Sequence, residues 1–262
     1  MIPLILHFIW IQRTQAFGRL EYLSVVSALH NTSYQVILHT DATPSDSEYC
    51  PFKIQSTRFT IDSFPFPDSI QSIPAKPSAL SDYYRLVFCS QSGGIYSDID
   101  ILWFKPLPEN VLNTNLFSAW ENQPYKVVNS AIFGCKKDYD FSELFKELHQ
   151  SLEKLPSTRH KDLAENNNFN HVYLYKIVSR WLRDHSDLIL KRVCFFKNTY
   201  YKINKYCSGV ITDKDVSFKD AIGYHVYGCG LWGKLRCDTR SVIDRHPYLK
   251  EVVKKLESKS IP

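Results

Sequence analysis

The sequence predicts an α/β fold, with a doubly wound and mostly parallel sheet flanked by helices. The first observation is an apolar run at residues 2–10 that ends in Trp10. The second is an amphipathic helix pattern at residues 17–30, followed by another apolar run at residues 34–39. The third is a further helix-to-strand unit at residues 79–104. Alternating strands and helices are typical of parallel sheets, which bind ligands outside the carboxyl ends of their strands.

The N-terminal elements follow from hydrophobic patterning. The run at residues 2–10 has no regular polar alternation, which indicates an inner strand buried on both faces. The run at residues 34–39 ends just before Asp41 and predicts a second strand. Residues 44–77 are rich in proline and serine and predict a loop with one short strand near Ile54.

The next helix is predicted at residues 79–89, where the apolar side chains form a broad face. Pro77 supplies a start signal, and the pair Gly93-Gly94 supplies a stop signal. The segment after the two glycines is apolar except for two acidic residues. We therefore expect a helix that leads directly into an acidic strand end.

The C-terminal half is predicted to be mainly helical. A strand with the polar Asn129 at its centre is expected at residues 127–134. Helices are expected at residues 140–154, 171–185 and 247–258. No repeat or linker divides the chain, so we predict a single domain.

Composition narrows the functional classes. Hydrophobic residues make up 44% of the 262 residues, which suffices for a core, and the 14% of aromatic residues suits either sugar stacking or a tyrosine-rich interior. The net charge of +5 suits phosphate-bearing ligands but predicts no nucleic-acid partner. Seven cysteines without a tight pairing pattern argue against a disulfide framework and against zinc.

The sequence shows no transmembrane segment, because no apolar run reaches the length of a membrane span. The first residues carry no basic stretch, and Pro3 and His7 interrupt the apolar run, unlike a signal peptide. These features predict a cytoplasmic protein, with a trimmed Golgi-lumenal catalytic domain as the alternative. Without a secretory signal, the glycosylation pattern at Asn31 is interpreted as coincidental.

Asp98 and Asp100 are the main candidate metal ligands. They follow the glycine pair, and in an extended segment side chains two residues apart point the same way. Converging carboxylates suit a hard divalent cation such as Mg²⁺ or Mn²⁺, which takes further ligands from phosphate and water. A turn at a strand end would explain the same pattern equally well.

The Asp-x-Asp pattern occurs twice more in the chain, at residues 138–140 and 213–215. The first of these pairs precedes a helical run and is explained by capping and solvation. The second is interleaved with lysines and is typical of a solvated turn. Only the pair at residues 98–100 lies in apolar sequence, where unpaired carboxylates are costly.

Asp82 and Arg85 are three residues apart on the predicted helix and can form a pair on one side of it. An ordinary surface ion pair is the alternative explanation. Their helix, however, leads directly into the segment with Asp98 and Asp100.

Together these residues carry a resemblance to a known family. The string SDxxR at residues 81–85, followed by GGIYSDID at residues 93–100, resembles the signature of DXD-containing sugar transferases. The nearest likeness is to glycosyltransferase family 32 and its relatives, including the catalytic domains of large clostridial glucosylating toxins. The opening IPLILHFIWI at residues 2–11 is similar to the first strand of that family, which ends at a nucleobase-stacking tryptophan.

The resemblance implies a GT-A fold in one domain at residues 1–262. Residues 1–135 would form the nucleotide-sugar-binding core, and residues 136–262 a helical, acceptor-binding part with a C-terminal closing loop. It also implies a hexosyltransferase that uses Mn²⁺ or Mg²⁺ and retains the anomeric configuration. The donor would be a nucleotide-diphospho-sugar, and the acceptor a glycan or another hydroxyl. UDP is favoured over GDP because stacking on Trp10, without an acid to read guanine, suffices for uracil.

The resemblance implies a role for each matching residue. Asp98 and Asp100 would bind the metal, and Asp82 and Arg85 would orient the donor sugar; these four are the expected catalytic residues. The other donor contacts would come from Ile9 and Trp10 at the base, Asp41 at the nucleoside and Tyr96 in the same pocket. Asn129 would lie near the sugar or the acceptor.

A second candidate segment, HVYGCGLWGK, begins at His225 and suits a flexible loop that closes over phosphate. The family often has a late histidine followed by a Ser-Trp pair. The resemblance therefore implies His225 as a metal ligand and Trp232 as a donor contact. A structural role is the alternative explanation for a single histidine such as His225. Two departures are Leu231, where the family has serine, and Gln12, where relatives often have glycine.

Three other functions remain open from the residues alone. A metal-dependent phosphohydrolase or nucleotidyltransferase would use the same carboxylate pair but would usually need more acidic or histidine ligands nearby. A non-catalytic sugar-binding module would explain the aromatic content without requiring Asp82, Arg85 or the carboxylate pair. A glycoside hydrolase needs two carboxylates across a sugar, not two that converge on one point.

Overall fold

A seven-stranded sheet forms the centre of the computed structural model, which describes residues 1–13, 16–71, 73–122, 126–154, 175–191, 194, 221–226 and 247–258. The strands are β1 (Ile5–Trp10), β2 (Gln35–Thr40), β3 (Phe59–Ser63), β4 (Ser69–Ile70), β5 (Ile73–Pro74), β6 (Gly94–Ser97), β7 (Ile101–Trp103), β8 (Leu116–Asn122), β9 (Val127–Cys135), β10 (Leu188–Leu190) and β11 (Gly223–His225). The helices are α1 (Arg19–Asn31), α2 (Pro77–Ser92), α3 (Glu109–Leu112), α4 (Ser142–Glu153), α5 (Tyr175–His185) and α6 (Pro247–Ser258).

The strand order in the main sheet is β10-β8-β9-β6-β1-β2-β3. β1 pairs in parallel with both β2 and β6, β2 with β3, and β10 with β8. Only β9 runs antiparallel to its two neighbours, β6 and β8. Six strands therefore run in one direction, which confirms the predicted doubly wound, mostly parallel sheet flanked by helices.

Each face of the sheet is covered by its own apolar cluster. One cluster joins strand residues such as Leu6 and Val36 to helix α1. The other joins Tyr96 and Phe133 to helices α2, α4 and α5. Two buried faces explain why β1 shows no polar alternation in the sequence.

A smaller sheet is formed by β7 and β11, which pair antiparallel, with Ile101 opposite His225. β7 packs on α1, where the Ser27 hydroxyl accepts a hydrogen bond from the Trp103 backbone N–H at 2.9 Å. The strand that follows the acidic pair is thereby joined to a late segment of the chain. This pairing places His225 next to the carboxylates.

The junction between α2 and β6 requires glycine. Gly93 ends α2 with a φ of 66°, and a Cβ there would lie 2.5 Å from the backbone nitrogen of Lys137. Gly94 has a φ of 100°, and a Cβ there would lie 2.8 Å from the carbonyl oxygen of Ile5. The glycine pair therefore lets the chain reverse between the helix and the central strand without steric conflict.

Most of the predicted elements are confirmed, with boundary shifts of a few residues. The helix expected at residues 79–89 is longer, and the helix expected at residues 171–185 is described only from Tyr175. The strand predicted near Ile54 is wrong. Pro51 starts a short 3₁₀ turn there, and the edge strand begins at Phe59 instead. The strands β8, β10 and β11 were not expected.

Three smaller expectations concern the cysteines, the glycosylation pattern at Asn31 and membrane-spanning segments. Among the described cysteines, Cys50, Cys89 and Cys135 are free and buried. The Asn31 side-chain amide donates a hydrogen bond to the carbonyl oxygen of Trp103 at 2.8 Å, so it serves the fold. Within the described ranges, no helix is long and apolar enough to cross a membrane.

His7 gives the fold a pH dependence. Its ring is 1% exposed, and it contacts His39 Nε2 at 3.0 Å and the Gly93 carbonyl oxygen at 3.0 Å. Burial, followed by the charge of His39, lowers the pKa of His7 from 6.5 to about 4. Between these values the unfolded chain binds a proton that the folded chain excludes, so stability is lost as the pH falls from above 6.5 to about 4.

We expect the free energy of unfolding to decrease by about 3 kcal/mol from this group between pH 7 and pH 4. Urea titrations at several pH values measure the slope. A His7→Gln variant should show a shallower decline with falling pH than the wild type. Equal slopes for wild type and His7→Gln would contradict the assignment.

Candidate active site

Asp98, Asp100 and His225 form a cluster with metal-ligand geometry. One ligand atom from each residue lies within 4.8 Å of the others. His225 Nε2 is 3.0 Å from Asp100 Oδ1 and 3.8 Å from Asp98 Oδ2. Two carboxylates and an imidazole suit Mn²⁺, and the carboxylates alone suit Mg²⁺. The residues present therefore fit the expected divalent cation.

The local backbone holds the two carboxylates in a turn, not in an extended strand as predicted. The Ile101 N–H donates to the Asp98 carbonyl oxygen at 3.1 Å, which closes the turn between β6 and β7. The Asp98 N–H donates to the Ala131 carbonyl oxygen at 2.7 Å. The Val226 N–H donates to the Asp100 carbonyl oxygen at 2.9 Å. The turn brings the side chains together because both of its ends are fixed to other strands.

His225 is buried, and the negative charges around it govern its protonation. Burial lowers its pKa, but the charges of Asp100, Asp98 and Glu121 outweigh burial and raise the pKa above its usual value. A cation at this site competes with the proton because a ligating imidazole must be neutral. The same carboxylates that favour the imidazolium would hold the metal.

Arg85 connects helix α2 to the carboxylates. Its guanidinium is 5% exposed and pairs with Asp82 and, at 3.2 Å, with Asp98 Oδ1. Its Nη1 also donates to the Ser130 carbonyl oxygen at 2.7 Å. These contacts raise its pKa further despite burial, so it is charged at every relevant pH. The pair with Asp82 is therefore not the ordinary surface pair that the spacing alone allowed.

Tyr96 contacts both Arg85 and Asp98. Its ring lies 4.4 Å from the Arg85 guanidinium carbon, a cation–π contact. Its hydroxyl donates to Asp98 Oδ1 at 2.7 Å and lies 3.3 Å from the Ser81 hydroxyl. Burial raises the Tyr96 pKa, so the hydroxyl stays protonated and remains a donor. The SDxxR string and the DXD string therefore form one hydrogen-bonded unit.

The residues expected at the nucleoside lie at the carboxyl ends of β1 and β2. Trp10 pairs in register with Thr40, and Asp41 Oδ1 accepts the Gln12 N–H at 2.6 Å. The Trp10 ring is 8% exposed and packs edge-on against Phe17 at 5.7 Å. Its indole nitrogen is buried and has no hydrogen-bond partner in the part of the chain that the structure describes.

Ile9, Asn129 and Trp232 differ in how far the structure places them. Ile9 is 3% exposed and packs in the cluster on the opposite face from Trp10, so a ligand would meet its backbone only. Asn129 lies on β9 and its side-chain oxygen accepts the Ala131 N–H at 2.8 Å. Asn129 is therefore two residues from the carbonyl that holds Asp98. Trp232 and Leu231 lie outside the described residues.

No sequence pattern predicted Ser130 or Glu121 in this region. Ser130 accepts from Arg85 through both its carbonyl and, at 3.1 Å, its hydroxyl oxygen. Glu121 lies at the end of β8, and its charge helps to raise the His225 pKa. A serine in a strand and a glutamate at a strand end carry no chemical signature. Only the positions of β8 and β9 in the sheet show that these two residues lie near the metal cluster.

The other two Asp-x-Asp pairs behave differently. Asp140 Oδ1 accepts the Ser142 N–H at 2.8 Å at the start of α4, as the capping interpretation expected. Asp138 is exposed. Residues 213–215 lie outside the described residues.

The comparisons with known proteins agree with this geometry. The family model described as glycosyltransferase sugar-binding region containing DXD motif matches residues 21–118, which contain Asp82, Arg85, Asp98 and Asp100. No curated protein matches the sequence significantly. The match covers just over a third of the chain and includes the complete α2–β6–β7 unit.

Two solved structures share the fold. The galactosyltransferase LgtC, in complex with donor and acceptor sugar analogues, has a TM-score of 0.53 at 15% identity, over 98% of this chain and 97% of that chain. The apo-form glycosyltransferase GlyE from Streptococcus pneumoniae TIGR4 has a TM-score of 0.55 at 14% identity, over 97% of this chain and 64% of that chain.

These findings define the class: a GT-A-type α/β fold that carries a DXD motif at the carboxyl edge of its sheet. At these identities the solved structures show the fold alone. The sugar-binding-region match, together with the Asp-Asp-His cluster, supports a glycosyltransferase.

Proposed function

We propose that this protein is a metal-dependent glycosyltransferase that moves a hexose from a nucleotide-diphospho-sugar to a hydroxyl acceptor. The observation that carries the proposal is the joining of the Asp98/Asp100/His225 cluster to the Asp82–Arg85 pair through one carboxylate, Asp98. The residues that would hold a phosphate-binding cation are thereby adjacent to an ion pair that would orient the sugar. A phosphohydrolase needs the first of these but has no use for the second.

Asp98, Asp100 and His225 would hold Mn²⁺, or Mg²⁺ with weaker use of the imidazole. When bound, the cation supplies Lewis-acid stabilisation of the leaving diphosphate. Asp98 has a second task because its Oδ1 also meets Tyr96 and Arg85. Those contacts fix its rotamer, so the carboxylate stays in place whether or not the donor is bound.

Asp82 and Arg85 would position the donor sugar. Asp82 is the more exposed of the two, with a side chain 19% exposed, and its carboxylate can accept sugar hydroxyls. Arg85 is almost completely buried and acts through Asp82 and Asp98. We therefore assign sugar contact to Asp82 and positioning to Arg85.

The reaction breaks the bond between the anomeric carbon and the diphosphate oxygen and forms a bond to the acceptor oxygen. The proton of the acceptor hydroxyl passes to the leaving diphosphate, so no protein nucleophile is needed. Retention of configuration and membership of the family 32 group follow from the sequence resemblance. A UDP-sugar is the proposed donor, with the base beside Trp10 and Asp41 and with Tyr96, Asn129 and Trp232 around the sugar and diphosphate.

Residues 1–135 would supply the donor site, and residues 136–262 the acceptor site and a closing loop that begins after His225. The pairing of β11 with β7 supports this division, since it brings the start of that loop to the metal cluster.

Donor turnover tests the reaction class. The protein is incubated with Mn²⁺ and, in turn, UDP-glucose, UDP-galactose, UDP-N-acetylglucosamine and GDP-mannose, and the products are followed by proton NMR. We expect slow, Mn²⁺-dependent release of UDP and free sugar from one UDP-sugar, first as the α anomer. Release of nucleoside monophosphate and sugar phosphate would instead identify a phosphohydrolase or nucleotidyltransferase.

A further inference from the structure

An open pocket of about 730 Å³ lies at the outer edge of the main sheet, away from the metal cluster. This edge pocket is lined by Trp120, Lys126, Arg183, Asp184 and Ile189. The lining comes from the end of β8, the β8–β9 connection, the helix α5 and the edge strand β10. None of these residues belongs to the Asp82–Arg85–Asp98 unit or to the three candidate metal ligands.

The register of β8 and β9 relates this pocket to the reacting centre. Trp120 is opposite Val128, one position from Asn129, and the Ala131 carbonyl on the same strand accepts the Asp98 N–H. Trp120 and Asp98 are therefore separated by two strand spacings, on the order of 10 Å across the sheet. An oligosaccharide can span that distance.

The edge pocket lies on the same face of the main sheet as helix α2. Trp120 packs against the cluster that contains Tyr96, and Ile189 packs against the same cluster. Helix α2, which carries Asp82 and Arg85, covers that face too. A ligand in the edge pocket therefore approaches the donor sugar from the side where Asp82 would orient it.

The chemistry of the lining suits a sugar. The Trp120 ring is half-buried and offers an aromatic surface of the kind that sugars and other amphipathic ligands use. Arg183 and Asp184 form a double contact, at 2.7 Å and 3.1 Å, and present donors and acceptors side by side. The volume is in the usual range for small-ligand sites, which combine apolar walls with a few polar groups.

The charges of the lining residues indicate which class of sugar the edge pocket would bind. Asp184 neutralises one of the two cations, Arg183. Lys126 is exposed at the β8–β9 connection and has no ion-pair partner in the stretches that the structure describes. Among the charged side chains that line the pocket, Lys126 thus has no acidic partner within the described ranges, and its charge favours a ligand with a carboxylate or phosphate over a neutral one.

We propose that the edge pocket binds the acceptor glycan through a sugar unit that carries a carboxylate or a phosphate. This inference rests on the proposed function, because it assigns the acceptor to a site next to the donor. Trp120 stacks on the ring, Arg183 and Asp184 take its hydroxyls, and Lys126 meets the negative group. The next sugar unit of the acceptor then extends from the edge pocket across the sheet toward Asp98. This unit carries the reacting hydroxyl.

Saturation-transfer NMR tests binding without requiring any turnover. The probes are lactose as the neutral sugar, 3′-sialyllactose as the carboxylate and glucose 6-phosphate as the phosphate. We expect one charged probe to bind the wild type better than lactose, and the better probe identifies the group. Lys126→Ala should lower the affinity for that probe by about tenfold. Replacing the exposed Lys146 on α4 with alanine should leave the affinity unchanged.

Trp120→Ala should also weaken the probe by about tenfold, provided that its thermal unfolding matches the wild type. Lys126→Ala remains the decisive variant if Trp120→Ala is unstable, because Lys126 is exposed. Binding equal in wild type and Lys126→Ala, tighter binding of lactose, or no binding of any probe would each overturn the proposal.

Hydrolysis of the donor by water separates this inference from the proposed function. Lys126→Ala should hydrolyse the UDP-sugar at the wild-type rate, because water replaces the acceptor. Loss of hydrolysis in that variant would place Lys126 at the donor and overturn the acceptor assignment. A wild type that binds the charged probe but cleaves no donor would contradict the proposed function alone.

Discussion

Replacing Asp100 with asparagine is expected to lower kcat/KM for donor cleavage on the order of 10³-fold. Asp100 is 7% exposed, and its Oδ1 lies 3.0 Å from His225 Nε2. Asparagine keeps the size of the side chain but removes the negative charge that a divalent cation requires. The fold should tolerate the change because the backbone contact with Val226 remains.

The chain offers a matched control in its second Asp-x-Asp pair. Asp138 is exposed and has a φ of 60°, a conformation that asparagine also adopts. Asp138→Asn should therefore keep both activity and stability. Steady-state kinetics at several Mn²⁺ concentrations measure the effect. An Asp100→Asn enzyme with wild-type kcat/KM would remove the metal cluster from the mechanism.

Replacing Arg85 with methionine is expected to cost about 3 kcal/mol of stability and to abolish turnover. The guanidinium is buried between Asp82 and Asp98 and holds Ser130 through two contacts. Methionine fills much of the space but leaves two partly buried carboxylates facing each other without a cation. Arg85→Lys should lose less stability, since it keeps the charge, but should still lose the contact geometry.

Urea unfolding and donor turnover measure the two effects separately. Arg180→Met is the matched control, because Arg180 pairs with Glu147 on the surface. Exposed pairs contribute little, about 0–1 kcal/mol. If Arg180→Met and Arg85→Met were equally destabilising, the buried ion pair would have no special place in the fold.

The sequence predicted the alternation of strands and helices because their hydrophobic periods differ. It also identified the glycine pair, whose two positive φ values suit no other residue well. A strand was wrongly predicted near Ile54, because an apolar residue after Pro51 cannot be told from a strand start without knowing the turn. The pairing of β11 with β7 joins segments about 120 residues apart in sequence, and no local pattern encodes such a contact.

The same distinction holds for the site. The spacing of four residues that are close in sequence was enough to indicate them as candidate site residues: Asp82, Arg85, Asp98 and Asp100. His225 was expected from the resemblance, and the structure brings it to the carboxylates. The edge pocket was not foreseen, since Trp120, Lys126 and Arg183 come from three separate elements. Whether Trp10 stacks on a base stays a prediction, because the Trp10 side chain is buried, packs against Phe17 and has a buried indole nitrogen in the structure.

Calorimetric titration of UDP and GDP, each with and without Mn²⁺, measures whether the Asp98/Asp100/His225 cluster binds a nucleotide through a metal. We expect the wild type to bind UDP only with Mn²⁺ and more tightly than GDP. We expect Asp100→Asn to lose this binding and Asp138→Asn to keep it. Failure of both nucleotides to bind a folded wild type with Mn²⁺ present would contradict the assignment of this site to a nucleotide-sugar donor.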